Sequence, residues 1–187
     1  MTVETSLGEG AEKMQKAIAH LKEDLATIRT GRAAPALLNR VTVEYYGSAV
    51  PLNQLASISV PEPRLLMITP FDKTSIPAVE KAIQASDIGV TPSNDGNVIR
   101  LAFPPLTEER RKELVKTLHH RAEEGRVAVR NVRRHSKEEL EKLERDSAIS
   151  EDDLKRAEKE LQKLTDQSVA EIDEIQRHKE QELMEVS

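Results

Sequence analysis

Val115-Lys-Thr-Leu-His-His-Arg-Ala-Glu-Glu-Gly-Arg-Val-Ala-Val-Arg-Asn-Val-Arg-Arg-His-Ser136 is the stretch on which the fold turns. Val115, Leu118, Ala122, Gly125, Val129, Val132 and Ser136 alternate at spacings of three and four, the period of an apolar seam on a long helix. The small residues Ala122 and Gly125 admit a close neighbour on that seam. Thr107 with Glu108 and Glu109 supplies an N-cap and first-turn acids, so this helix is predicted from Thr107 to about Asp146. Ser150 and the acids Glu151, Asp152 and Asp153 begin another, whose stripe is Leu154, Ala157, Leu161, Leu164, Ser168, Ile172 and Ile175. A helix from about Glu4 to Arg29 carries Met14, Ile18, Leu21, Leu25 and Ile28 on one face. Three such helices must pack lengthwise, because each has one apolar stripe and nothing else to bury it against.

Between Thr30 and Pro105 the texture changes to short runs of period two, punctuated by Gly and Pro. Segments 41–46, 55–60, 65–69 and 98–102 read as strands, Asn94-Asp-Gly-Asn97 as the turn before the last of them, and 75–86 as a short helix with Pro77 in its first turn. The fold class is therefore α+β: a three-helix, coiled-coil-like bundle from residues 1–30 and 106–187, with a small α+β domain, 31–105, inserted between its first two helices. Two segments join the domains. Gly31 can take the left-handed conformation after a helix, and Pro104-Pro105 bars a helix before Thr107, so a hinge is expected at Gly31, Pro104 and Pro105.

The 187 residues include 37% hydrophobic and 33% charged side chains, no Cys, no Trp, and only Tyr45, Tyr46, Phe71 and Phe103 as aromatics. Lacking cysteine, the chain has no disulfide, thiolate nucleophile or cysteine metal site. No apolar run approaches the roughly 20 residues of a spanning helix, and a cytoplasmic protein with no membrane partner is the expectation. Phosphate-cradling Gly-x-x-x-x-Gly-Lys, nucleophile-elbow and His-Glu-x-x-His motifs are all missing from the sequence. His119 and His120 point about 100° apart on a helix, so they do not make a one-face metal site. The expectation is a chain that is not an enzyme and holds no metal or cofactor.

Charge supplies the positive signal. Residues 110–137 hold ten Lys/Arg and three Glu, 10 − 3 = +7, whereas 138–187 hold eight Lys/Arg and seventeen Asp/Glu, 8 − 17 = −9. The net charge of −5 averages opposed surfaces. Arg126, Arg130, Arg133, Arg134 and Lys137 lie beside the seam as a ridge suited to bidentate phosphate contacts and to stacking on bases. Ion pairing with nearby acids would call for balanced local charge, so the ridge favours RNA or another polyanion; composition does not separate RNA from DNA. A second basic group, Arg29 and Arg32, follows the first helix. Helix-end capping accounts for Arg29 but not for Arg32.

The blocks Ile28-Arg-Thr-Gly-Arg-Ala33, Val43-Glu-Tyr-Tyr-Gly47, Pro51-Leu-Asn-Gln-Leu-Ala56, Glu80-Lys-Ala-Ile83, Asn94-Asp-Gly96, Pro105-Leu-Thr-Glu-Glu-Arg-Arg-Lys-Glu-Leu114, Arg126-Val-Ala-Val-Arg-Asn-Val-Arg-Arg134, Ile149-Ser-Glu-Asp152 and Lys163-Leu-Thr-Asp166 run in order from residue 28 to residue 166. In them the sequence resembles the bacterial ribosome recycling factor family. That resemblance implies an L-shaped, monomeric protein that binds the ribosome after termination, its bundle lying across the large subunit's tRNA sites and touching ribosomal RNA, including intersubunit bridge elements. It also implies elongation factor G as the partner whose GTP hydrolysis drives subunit separation. By matching positions it marks Arg130 and Arg133 as the foremost RNA contacts, with Arg126, Arg134, Arg29 and Arg32 in support, and Gly31, Pro104 and Pro105 as the hinge. His135 stands after the double arginine, where the resemblance implies an acid in many members of that family. A coiled-coil adaptor or a general RNA-binding protein would explain the seams or the arginines separately.

Overall fold

The computed structural model describes residues 1–185. They form two compact units, Met1–Leu25 with Val115–Glu182, and Ala26–Leu114 with the last residues from Leu183. The first unit is built from the greater part of three helices, α1 (Val3–Ala26), α4 (Glu108–Arg145) and α5 (Glu151–Met184), residues 108–114 of α4 falling in the second unit; together with the β-sheet domain they give the expected fold class. At about 1.5 Å per residue, α4 is about 57 Å long.

Helix α1 buries Ser6, Gly10, Met14, Ile18, Leu21 and Leu25, a stripe longer than the apolar residues alone reveal. Leu118, Ala122, Val129, Ser136 and Leu140 of α4 and Ala157, Leu161, Thr165, Ser168 and Ile172 of α5 are also buried. Val115, Val132, Leu154, Leu164 and Ile175, expected on the seams, are only half-buried at their edges. The small seam residues bring helices close: a Cβ on Gly125 would stand 3.1 Å from Leu21 Cδ2, and one on Gly10 would stand 2.7 Å from Ser136 Oγ. Thr165 Oγ1 donates to Leu161 O at 2.9 Å, which satisfies a hydroxyl that is otherwise costly to bury.

Helix ends follow the capping chemistry. Thr107 Oγ1 accepts from Arg110 N–H at 3.1 Å. Ser150 Oγ accepts from Asp153 N–H at 3.0 Å while Asp153 Oδ2 accepts from Ser150 N–H at 3.3 Å, a reciprocal capping box. These bonds to Ser150 and the Arg156 guanidinium hold the Asp153 carboxyl below the usual carboxylate range. Ser150→Ala should lower stability by about 1 kcal/mol, read as a shift in a urea melt; an unchanged midpoint would remove the cap's role. Helix α4 ends in a Schellman motif, with Ala148 N–H on Leu143 O and Ser147 N–H on Glu144 O, both at 2.9 Å, and Ser147 left-handed at φ 60°.

Helix α1 stops at Ala26, three residues before the expected Arg29. Beyond it the chain leaves the helical path, which frees Arg29 to bond elsewhere, and Ile28 is buried outside any helix.

In the second unit, β3 (Ala56–Glu62), β4 (Leu65–Pro70), β6 (Ile99–Ala102) and β5 (Ser93–Asn94) form an antiparallel sheet in the order β3-β4-β6-β5. Period-two burial puts Leu66, Ile68, Ile99 and Leu101 on one face. There they join Val79 and Ile83 of α3 (Ile76–Gln84), together with Leu37, Val43, Leu52 and Phe103, in a single core. Pro61 is tolerated because β3 is an edge strand. The turn before β6 is organised by Asp95, which accepts from Arg100 Nη1 at 2.9 Å and from the N–H groups of Asn97 and Val98, both at 3.0 Å. Arg100 first, then those N–H groups, hold its carboxyl far below the usual range.

A separate hairpin pairs β1 (Thr42–Tyr45) with β2 (Ser48–Pro51) and leads into one helical turn, α2 (Leu52–Leu55). Its two-residue loop, Tyr46-Gly47, has φ 50° and 80°. That turn needs left-handed backbone at both positions, which Gly47 adopts freely and Tyr46 only at a cost of about 1–2 kcal/mol.

Candidate nucleic-acid interface

Four members of the basic ridge converge. Arg130, Arg133, Arg134 and Lys137 line one side of an open groove of about 570 Å³. Glu158, Leu161 and Gln162 of α5 line the other, so four cations face one acid over a partly apolar floor. Their present partners are weak or replaceable: Arg130 Nη1 lies 3.3 Å from Glu123 Oε1, Arg133 Nη1 donates to Gln162 Oε1 at 3.2 Å, and Arg134 Nη2 donates to Asn131 Oδ1 at 3.2 Å. Lys137 Nζ is 3.9 Å from Glu141, both well exposed. Exposed pairs of this kind are worth at most about 1 kcal/mol, which a phosphate oxyanion can displace. The groove wall on α5 has no signature in the sequence, since Gln162 and Glu158 carry no signal beyond lying beside the buried Leu161.

Arg126 is different. Its side chain is only 16% exposed. It donates through Nε to Asp173 Oδ1 at 2.8 Å, and its other nitrogens reach Gln176 and Glu123, so it ties α4 to α5 rather than standing free. Arg126→Ala should cost about 1–2 kcal/mol of stability, since it leaves Asp173 and Gln176 without their donor. Its effect on RNA affinity in the folded protein should be small; a large affinity loss at unchanged stability would return Arg126 to the binding ridge.

The second basic group has its own geometry. Arg29 lies beyond the end of α1, so helix-end capping does not describe it. Its Nη2 donates to Pro104 O at 2.5 Å, and its guanidinium carbon lies 5.5 Å from the Phe103 ring centroid. Burial, then the nearby Arg110 charge, pushes its pKa down from the ordinary arginine value, and its Nε is buried without a hydrogen-bond partner. Arg32 is exposed and pairs with Glu185 at 3.7 Å. Gly31 has φ 85°, and a Cβ there would meet Leu106 at 3.5 Å. The expected hinge residues Gly31, Pro104 and Pro105 all fall inside the second unit.

The adjacent histidines diverge: His119 Nε2 lies 3.2 Å from Glu180 and His120 Nε2 lies 2.9 Å from Glu124. Among the described residues no group of three or more His, Asp or Glu is placed to hold a metal ion, and no helix is long and apolar enough to cross a membrane. His135 reaches Glu139 at 3.3 Å, and Glu139 accepts from the buried Ser6 Oγ at 2.8 Å. His135 is thus linked through an acid to α1.

Residues 21–184 match the family described as ribosome recycling factor. The chain belongs to that family. It is 60% identical over 174 residues to the ribosome-recycling factor of Shouchella clausii, covering 93% of this chain and 94% of that one. With its counterpart from Thermobifida fusca it shares 56% identity over 184 residues, 98% of this chain and all of the other. A solution structure of a ribosome recycling factor superposes with a TM-score of 0.81 at 48% identity, covering 100% of this chain and 99% of that one. A second match has a TM-score of 0.69 and 48% identity over 99% of this chain and all of the other. It is a T. thermophilus ribosome recycling factor bound, with E. coli elongation factor G, to the E. coli post-termination complex.

Proposed function

We propose that this chain binds post-termination ribosomes through ribosomal RNA and, with elongation factor G and GTP hydrolysis by that partner, separates the subunits for a new round of translation. Membership of the family supports the role. The observation that carries the chemistry is the groove, where Arg130, Arg133, Arg134 and Lys137 face a single acid. Phosphates of folded RNA suit it, because two or more guanidinium forks on one rigid helix can grip successive oxyanions without reorganising. Arg32 and Arg29 form a secondary basic site, with Arg29 also committed to Pro104.

The protein acts as a monomer in the cytoplasm, without a cofactor and without catalysing a reaction itself. Residues 1–30 and 106–187 serve as the binding body and 31–105 as the part that moves, with bending at Gly31 and Pro104-Pro105. Left-handed backbone at Gly31 and the fixed φ of two prolines restrict where the chain can flex, so motion is directed rather than free.

Light scattering of post-termination ribosomes mixed with the protein, elongation factor G and GTP tests this function. Scattering should fall only with all three present. No fall with the complete mixture overturns the recycling role, and a fall without elongation factor G overturns the partner.

A further inference from the structure

Helix α1 ends against its own electrostatics. Its last turn holds two acids, Glu23 and Asp24, and no basic residue, although the C-terminus of a helix carries partial negative charge and favours cations. No glycine stands between Ala26 and Gly31 to cap it. The missing cation comes from α4. Arg121 Nη1 donates to the main-chain oxygen of Asp24 at 3.0 Å, and Arg121 Nε lies 3.5 Å from Asp24 Oδ2. The two side chains are only 30% and 23% exposed, so salt screens this pair less than the open pairs flanking the groove. The approach is set one turn further along α4, where a Cβ on Gly125 would stand 3.1 Å from Leu21 Cδ2. Arg121 and Gly125, four residues apart, share one face of α4, as Leu21 and Asp24, three apart, share one face of α1. The close contact at the glycine thus puts the backbone of α1 within reach of a side chain of α4.

We propose that Arg121 is a positioning residue for subunit splitting: its bond to the Asp24 carbonyl fixes the last turn of α1, so that bending begins beyond Ala26 and never by unwinding of the helix. The inference rests on the recycling function proposed above. Asp24 lies one residue before Leu25, where the N-terminal segment of the first unit ends and the chain passes into the second at Ala26. Its carbonyl is among the last four of the helix, the ones that intrahelical bonding leaves over. A joint directs motion only where its ends are rigid, and a frayed helix end would add soft residues to the bend. Arg121 lies about 14 Å along α4 from Arg130 and does not line the groove, so this role is separate from the grip on RNA.

Arg121→Met in the full chain tests this, because methionine keeps much of the aliphatic stem and removes every donor. Asp24→Asn is its counterpart, removing a carboxylate that disfavours a helix C-terminus while keeping the main-chain acceptor. In Arg121→Met, hydrogen exchange at residues 24–29 should rise roughly tenfold or more, the scale of a lost charge-assisted bond, with exchange at 129–140 within about twofold of the parent's. The splitting rate with elongation factor G and GTP should fall about fivefold or more, while ribosome affinity at low salt stays within about twofold because the groove is untouched. Asp24→Asn should stay within about twofold of the parent in all these readouts. Parental exchange at 24–29, or splitting at the parental rate, overturns the proposal. So does a rise in exchange that is equal at 129–140, or a rate loss matched by lost affinity, since either would make Arg121 a general strut of the bundle. A loss in Asp24→Asn as large as that in Arg121→Met overturns the main-chain bond as the fixing contact. If the parent protein itself fails to split ribosomes, the recycling function falls, while exchange still decides whether Arg121 holds the end of α1.

Discussion

Replacing Arg130 and Arg133 together by alanine should weaken ribosome binding by roughly 100-fold or more and leave the fold intact. Two charge-assisted contacts at about 1.5–3 kcal/mol each account for that loss. Stability should change by less than about 1 kcal/mol, because Arg130 pairs with the exposed Glu123 and Arg133 donates to the exposed Gln162, contacts of little net worth. The slope of log affinity against log salt should become shallower by about one for each phosphate contact removed. Arg126→Ala should show the inverse, a lower melting temperature with affinity largely kept. Parental affinity in a correctly folded double variant would sink the assignment of the groove. Uniform behaviour of all three arginines would sink the distinction between strut and ligand.

That distinction marks the limit of what helical periodicity reveals. The spacing of four between Arg126 and Arg130 puts both on one edge of α4, and the sequence treats them alike. Across from Arg126, however, stand Asp173 and Gln176, whereas Arg130 to Lys137 face an open groove whose far wall is Glu158, Leu161 and Gln162. Which residues of α5 face which turn of α4 depends on the relative register of two helices, and no single-helix pattern contains it. Arg29 illustrates the same point: its partner Pro104 lies 75 residues away in sequence. The long helices themselves were legible because seam, caps and charge agree, from Thr107 and Ser150 at the starts to the 3-4 alternation between them. The hairpin was only half legible. Ser48-Ala-Val-Pro51 lacks apolar alternation, and a tyrosine conceals a turn that is ordinarily written Asn-Gly. Strand β5 has two polar residues and so no hydrophobic signal.

Leu101→Ala should unfold the α+β unit while much of the helical unit persists. Leu101 is fully buried, opposite Leu66 in the β4–β6 ladder, and truncating such a residue costs about 2–5 kcal/mol. A unit of this size has a total stability of only about 5–10 kcal/mol, so the loss takes a large share of it. Separate cores make the effect local: Leu66, Ile68, Val79, Ile99 and Leu101 belong to one cluster, whereas Leu118, Val129 and Ile172 are buried in the other unit. Hydrogen exchange should therefore accelerate at β4 and β6 by orders of magnitude more than at residues 118–140, and most far-UV helical signal should survive the first melting transition. Leu118→Ala should reverse the order of damage. A single concerted transition in both variants, with exchange rising equally everywhere, would show that the units fold as one. The functional consequence separates two activities. With its arginine groove in the helical unit, the Leu101→Ala protein should still bind ribosomes, yet on the proposed division of roles between the units it should fail to split them.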